Sequence, residues 1–365
     1  MTAIKREKEY FIMIQYKNKR FAYSAICLFL CLIFALASSM GVAAGAAKPQ
    51  GKYEGLKLIP GGQTFGVKFN TAGITVVGFC NVDTKSGNIC PASLAGLKEG
   101  DIIKEINGQV PKDANHFISL VDQSSGKSVS VTFTRAGVEK TAKLSPKYSV
   151  SEGKYKVGLC VRDSGAGIGT VTYIYPETYS FAGLGHGICS ADSGRLVQMT
   201  RGVVTDVTVS GVKRGVSGVP GEIKGVFGSD KVGTLVGNTE CGVYGMFSEC
   251  PKDAAQAIPV GLRGDVKAGS AYILCTLDGA GACKYNIEIS SVRYEEKTSK
   301  CFTVTVTDPK LIEKTGGIVQ GMSGSPIIQN GKLVGAVTHV MINDPTVGYG
   351  IFIENMLDNM PEVLR

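Results

Sequence analysis

The chain is patterned differently before and after position 60. No charged residue falls between positions 21 and 47, and the segment FAYSAICLFLCLIFALASSMGVAAGAA is apolar or small almost throughout. A helix needs about 20 such residues to cross a bilayer core, so a transmembrane helix is expected at residues 21–47. A linker, residues 48–60, follows with Gly and Pro near both ends. Beyond it TFGVKFNTAGITVVGF alternates as half-buried strands do. In NICPASLAGLKEGDIIKEINGQV, residues 92–95 predict a helical turn stopped by Gly96. The strand DIIKEI then closes on the turn pair Asn107-Gly108. Phe117, Leu120 and Val121 have helical spacing behind Asp113, a suitable N-cap. KSVSVTFTRAGVEKTAKLSP reads as a hairpin turning at Ala136-Gly137. These elements bound a first domain at residues 61–146.

From residue 148 the texture changes. GTVTYIYPETYSFAGLGHGI, GVVTDVTVSGV, SAYILCTL, YNIEISSV, CFTVTVTD and SPIIQNGKLVGAVTHV are short Val/Thr/Gly runs without long helical periodicity. Evenly spaced strands with turn signals predict a barrel or sandwich over residues 148–365, ending in one helix at IENMLDNMPEVL. Composition supports a mostly β protein, since glycine, at 48 of 365 residues, is near twice the usual ~7%.

Charge adds an orientation. Six basic residues oppose two acidic ones in residues 1–20, placing +4 of the net +8 there. That bias puts residues 1–20 in the cytoplasm and everything from Lys48 outside it. The apolar run is longer than a signal-peptide core of about 7–15 residues, which favours an uncleaved signal anchor over a peptide cut near residues 43–47. The remaining charge forms no basic stripe interleaved with aromatics, so nucleic acid is not an expected partner. Of 11 cysteines, Cys27 and Cys31 fall in the apolar run. The other nine show no C-x-x-C spacing, so they are expected to be small, buried, mostly reduced side chains, with no metal site.

PASLAGLKEGDIIKEINGQ resembles the most specific stretch of bacterial PDZ domains, an α+β fold. The resemblance implies that TFGVKF holds the carboxylate-binding loop, with the N–H groups of Phe65, Gly66 and Val67 receiving a peptide terminus and an extended ligand adding as a strand.

Candidate chemistry lies near the C-terminus. GMSGSP, residues 321–326, is followed by a hairpin turning at Asn330-Gly331 and resembles the nucleophile turn of trypsin-like proteases. Glycines on both sides permit a tight turn that exposes the Ser323 hydroxyl and aims the N–H groups of Gly321 and Ser323 at one oxyanion hole. Such a serine needs a base, and the chain has three histidines. His116 sits in the helix of the first domain. His186, in GLGHGI, follows a strand–turn–strand near the start of the barrel, where trypsin-like folds place their base. His339 falls on the strand that walls the specificity pocket, where a donor would favour an acidic or polar side chain. Between His186 and Ser323 lie Asp192, Asp206, Asp230, Asp253, Asp265, Asp278 and Asp308. Trypsin-like order favours Asp206 or Asp230 as the acid, and spacing alone does not decide.

GLGHGI, VTDPKLIEKTGGIVQGMSGSPIIQNGKLVGAVTHV and NDPTVGYGIFIENML together closely resemble the stage IV sporulation proteases of endospore-forming bacteria, PDZ-containing serine peptidases of family S55. The resemblance implies Asp308 as the triad acid, fifteen residues before Ser323. It also implies a trypsin-like β-barrel peptidase without cofactor or metal, exported into the space between mother cell and forespore. Members cleave themselves and then the extracytoplasmic part of a membrane-bound regulator. That regulator restrains an intramembrane metalloprotease, whose release matures a late sporulation sigma factor. Self-cleavage is expected in residues 48–60. Two other readings remain: a catalytically silent PDZ adaptor, and an HtrA-like quality-control protease. The latter places its PDZ module after the catalytic domain, and here it comes first. A membrane metalloprotease is excluded because the chain has no H-E-x-x-H.

Overall fold

The structure, a computed structural model, describes residues 51–190 and 194–365. The expected cytoplasmic segment at 1–20, transmembrane anchor at 21–47, Cys27, Cys31 and Asp192 lie outside the described residues. Among those residues no helix is long and apolar enough to cross a membrane.

β1 (Lys57–Pro60) is followed by β2 (Thr64–Phe79), sixteen residues long, and by a small hairpin, β3 (Val82–Thr84) and β4 (Gly87–Ile89). Next come α1 (Pro91–Leu94), β5 (Ile102–Ile106), α2 (Ala114–Gln123), β6 (Val129–Arg135) and β7 (Val138–Leu144). These fit the expected elements closely. Asp113 caps α2 through a 2.7 Å bond from the His116 N–H, and Gly96 ends α1 at φ +81°. The turn pairs Asn107-Gly108, Ala136-Gly137 and Asn330-Gly331 all take positive φ at both residues. That conformation matches a hairpin turn to the twist of its strands.

A second hairpin, β8 (Lys147–Ser149) and β9 (Lys154–Lys156), leads into β10 (Leu159–Ile174), as long as β2. Then follow β11 (Ser180–Gly183), β12 (Met199–Lys213), β13 (Glu222–Thr239), β14 (Gly242–Phe247) and β15 (Ile258–Pro259). The chain closes with β16 (Gly269–Thr276), β17 (Ala282–Ser290), β18 (Phe302–Val306), α3 (Pro309–Thr315), β19 (Pro326–Gln329), β20 (Lys332–Met341), β21 (Asp344–Phe352) and α4 (Ile353–Asp358). The expected terminal helix is shorter than IENMLDNMPEVL, because Pro361 cannot continue it.

Two six-stranded barrels result. In the second, β16-β17-β18-β21-β20-β19 close on themselves around Ile273, Ile287, Val304 and Ile351, each no more than 1% exposed. Alternation of buried and half-buried positions along β18 marks which face points inward. The first barrel closes because β2 pairs with both β10 and β12, completing the ring β2-β10-β11-β14-β13-β12.

That closure redraws the expected domain boundary. Residues 64–70 of β2 lie between β10 and β12, and only residues 74–75 pair with β5. β10 is split likewise: Leu159 to Arg162 lie beside the end of β2, and Ser164 to Thr170 lie within the barrel. The crossing point is irregular. Ser164 faces Asn70 and Arg162 faces Thr75, with Gly73 at φ +121° and the Thr71 hydroxyl donating to the Gly73 carbonyl. The PDZ-like part and the first barrel are thus joined by a continuous two-stranded ribbon rather than by a loop near residue 147.

The proposed carboxylate loop is corrected by the same pairing. Phe65 faces Gly169 on one side and Asp206 on the other, so residues 65–67 have no free sheet edge for a ligand strand. Phe65 is 2% exposed and packs edge-to-face on Phe181. A Cβ on Gly66 would fall 2.6 Å from the Phe227 ring. The linker is corrected as well, because its last four residues form β1, paired with β10 and β15. The nine described cysteines are all free thiols, and only Cys241, Cys275 and Cys301 are buried.

Candidate active site

Ser323 sits on the turn between α3 and β19. The turn needs left-handed glycines at Gly321 (φ +97°) and Gly324 (φ +94°). A Cβ on Gly324 would lie 2.0 Å from the Thr170 carbonyl. Two threonines of β10 clamp this turn across the barrel interface. Thr170 Oγ1 donates to the Gly321 carbonyl and Thr172 Oγ1 to the Gly324 carbonyl, each at 2.8 Å. The Thr170 N–H donates to the Ser323 carbonyl at 3.0 Å. From the second barrel, the Gly324 N–H donates to Val337. Ser325, fully buried, turns inward to the Met322 carbonyl.

Among the described residues the N–H groups of Gly321 and Ser323 donate to no acceptor. Two unspent donors flanking a serine are what an oxyanion site requires. The Ser323 hydroxyl itself donates to the Thr338 carbonyl at 2.7 Å.

His186 follows β11 after two left-handed residues, Leu184 and Gly185. It lines one cavity with Gly321, Ser323 and His339. Its Nδ1 is 3.0 Å from the Gly187 carbonyl. A carbonyl only accepts, so Nδ1 carries the proton and Nε2 is left as the basic nitrogen. Burial pushes the His186 pKa below its usual value, partly countered by this hydrogen bond. The ring is therefore neutral at pH 7. His339 lies beside it, ring centroids 4.8 Å apart and tilted by 39°. Burial, then the neighbouring His186 and Lys300, push the His339 pKa down to about 4. Its Nδ1 is buried without a hydrogen-bond partner among the described residues.

Asp308 has a different task from the one expected. Its carboxylate caps α3, accepting from the N–H groups of Lys310 (3.0 Å) and Leu311 (3.3 Å), and also from Asn286 (3.2 Å). Neither histidine is among its hydrogen-bond partners. An Asp-Pro at a helix start is a strong capping signal, and here it holds the helix that delivers the chain to the nucleophile turn. Among the described residues no other aspartate bonds to His186: Asp265 pairs with Lys332, Asp278 with Lys314, and Asp230 accepts from Ser229. The position opposite Nδ1 is held by the Gly187 carbonyl. Sequence reasoning missed that carbonyl because a backbone acceptor has no residue signature, and it missed Thr170 and Thr172 because their partners are 151 and 152 positions away. His116 accepts from the Lys112 N–H in the first domain and takes no part.

No group of His, Cys, Asp and Glu side chains suited to a metal ion occurs among the described residues. The model of the SpoIVB peptidase S55 family matches residues 153–357, more than half of the chain, and a PDZ model matches residues 89–135. A Lactococcus lactis subsp. lactis protein named as a zinc metalloprotease is 36% identical over 69 residues, 19% of this chain and 16% of that relative. The chain therefore spans about a sixth of that relative's length. A PDZ domain of an SdrC-like protein from Listeria monocytogenes aligns at 22% identity, covering 25% of this chain and 87% of that one, with TM-score 0.21. Rv3671c from M. tuberculosis, solved as an inactive mutant, aligns at 14% identity, covering 53% and 79%, with TM-score 0.28. Scores that low carry no argument about this molecule.

Proposed function

This chain belongs to the SpoIVB peptidase S55 family and is a serine peptidase with a PDZ domain; from that premise we propose that Ser323 is its nucleophile and His186 its base, in an endopeptidase of sporulation signalling. The observation that carries the reading is the convergence at one cavity of a serine, a neutral histidine and two unspent N–H donors. In the reaction the Ser323 hydroxyl leaves the Thr338 carbonyl by rotation about its side-chain bond. It gives its proton to His186 Nε2 and attacks the peptide carbonyl. The N–H groups of Gly321 and Ser323 receive the oxyanion. His186 returns the proton to the leaving amine, and water, deprotonated by the same nitrogen, releases the acyl group. Gly187 keeps the imidazole in the working tautomer. Asp308 acts at one remove, by holding α3 and so the turn that follows. The chemistry calls for no cofactor.

Several features support the wider role. Residues 21–47, flanked by the basic residues 1–20, suit a single membrane anchor that leaves the peptidase outside the cytoplasm. Self-cleavage fits residues 48–56 better than 57–60, because β1 is already paired while Glu54 and Gly55 are exposed. The second substrate is the extracytoplasmic part of a membrane protein that restrains an intramembrane metalloprotease. The test is N-terminal sequencing of the full chain from sporulating cells, wild type against Ser323→Ala. Wild type should yield shortened forms and Ser323→Ala only the uncut chain. Identical processing of both would leave only an adaptor.

A further inference from the structure

The cavity that holds Ser323 continues away from it. Its volume of about 670 Å³ extends along the β2–β10 ribbon past Gly167 and Phe69 to Thr75, Val77 and Arg162. Three features of this extension point to a ligand. β11 and β1 pair with β10 only from Val171 onward, so over residues 159–169 no described strand lies on the edge of β10 away from β2. The start of α2 touches β10 there through the Ala114 N–H, which donates to the Asp163 carboxylate at 2.8 Å. Open N–H and C=O groups on such an edge suit an extended chain. A Cβ built on Gly167 would meet no atom within 4 Å, so the groove floor is clear where a side chain would intrude. Arg162 is exposed at the far end and has no ion-pair partner among the described residues. Among the described residues no Asp or Glu lines the cavity with it.

We infer that this groove binds the substrate polypeptide as an extended strand along β10, and that Arg162 receives an Asp or Glu side chain about six to eight residues from the cleaved bond. The spacing follows from the ribbon. Thr170 is bonded to Ser323, Arg162 lies eight residues earlier, and an extended chain beside it rises by the same ~3.3 Å per residue. Arginine suits the task because its planar fork of donors matches a carboxylate. A guanidinium without an ion-pair partner among the described residues also attracts an acidic strand before contact. The inference rests on Ser323 as nucleophile and adds a remote selectivity to it.

The test uses the full chain in detergent and end-blocked peptides from cleavage sites mapped in a denatured protein substrate. A short peptide covers three residues on each side of the cut. A long one adds nine residues on each side, with Glu at six to eight residues from the cut, and a matched version carries Gln there. For wild type, kcat/KM should favour the Glu peptide over the Gln peptide by about tenfold, the worth of one charge-assisted hydrogen-bonded pair. Raising salt from 0.05 to 0.5 M should shrink that ratio. Arg162→Gln should bring it near one, and Gly167→Phe should lower the long-to-short ratio for both long peptides. A Glu-to-Gln ratio near one in wild type, or one unchanged in Arg162→Gln, overturns the inference while the nucleophile stands. Unchanged hydrolysis of the short peptide by Ser323→Ala would instead refute the nucleophile, and the inference with it.

Discussion

The threonine clamp offers a direct test of how the two barrels make one site. Replacing Thr170 and Thr172 by valine keeps shape and β propensity but deletes both hydroxyl donors. Each side chain is fully buried, so no water replaces the lost partner. The carbonyls of Gly321 and Gly324 are left with a donor missing, at a cost of about 1–3 kcal/mol each. The double variant should therefore lose about 2–6 kcal/mol, a large share of the 5–15 kcal/mol that holds a typical domain together. Activity should fall more than stability alone explains. With the Gly321 carbonyl released, the left-handed turn is free to rotate its peptides, and the oxyanion donors lose their fixed aim. One such donor is worth about 10²–10³ in kcat, so Thr170→Val should lower kcat by at least about tenfold at a temperature where the fold is intact. Urea denaturation gives the stability change and steady-state hydrolysis of a blocked peptide gives kcat. Thr170→Ser, which keeps the donor, should retain most of both. If Thr170→Val matches wild type in both measurements, the hydroxyl clamp does not set the turn.

Three further outcomes follow from the same geometry. Asp308→Asn should stay near wild type in stability and activity, since asparagine caps as well as aspartate, whereas Asp308→Ala should lose about 0.5–2 kcal/mol. A fall of about 10⁴ in kcat for Asp308→Asn without any change in melting temperature would place that carboxylate on the histidine after all. His186 must be neutral to accept a proton, and its folded pKa lies below 6.5. The acid limb of kcat/KM should accordingly have its midpoint below pH 6.5, and a midpoint above it would refute the burial argument. His339 is depressed from 6.5 to about 4, so its contribution to stability is present above pH 6.5 and lost as pH falls towards 4. Melting temperature should decline over that window, less steeply in His339→Gln; equal slopes would remove His339 as the cause.

Local signals are legible in the sequence. Asn107-Gly108, Ala136-Gly137 and Asn330-Gly331 form the hairpin turns that their dipeptides demand, and Asp113 caps the helix it precedes. GMSGSP and GLGHGI line one cavity; their glycines set each turn locally, while contacts between distant strands bring the two turns together. What sequence could not supply was pairing between distant strands. TFGVKF has the pattern of a ligand-binding edge strand, and only the positions of β10 and β12 reveal that both its edges are occupied. Asp308 illustrates the other limit. An acid of the right type near the nucleophile is equally suited to cap the helix beginning at Pro309, and the choice depends on where α3 packs.

The ribbon of β2 and β10 has a consequence for how the molecule is assembled. A nascent chain released up to residue 146 has made β2 but none of the strands that flank its first half, so those backbone groups wait for partners more than ninety residues downstream. The amino-terminal module thus cannot mature ahead of the rest, as tandem modules ordinarily do during synthesis. Closing so many non-local contacts also makes for slow folding. A peptidase that reaches its working shape only after nearly all of it has emerged is kept inert during its own synthesis by its topology.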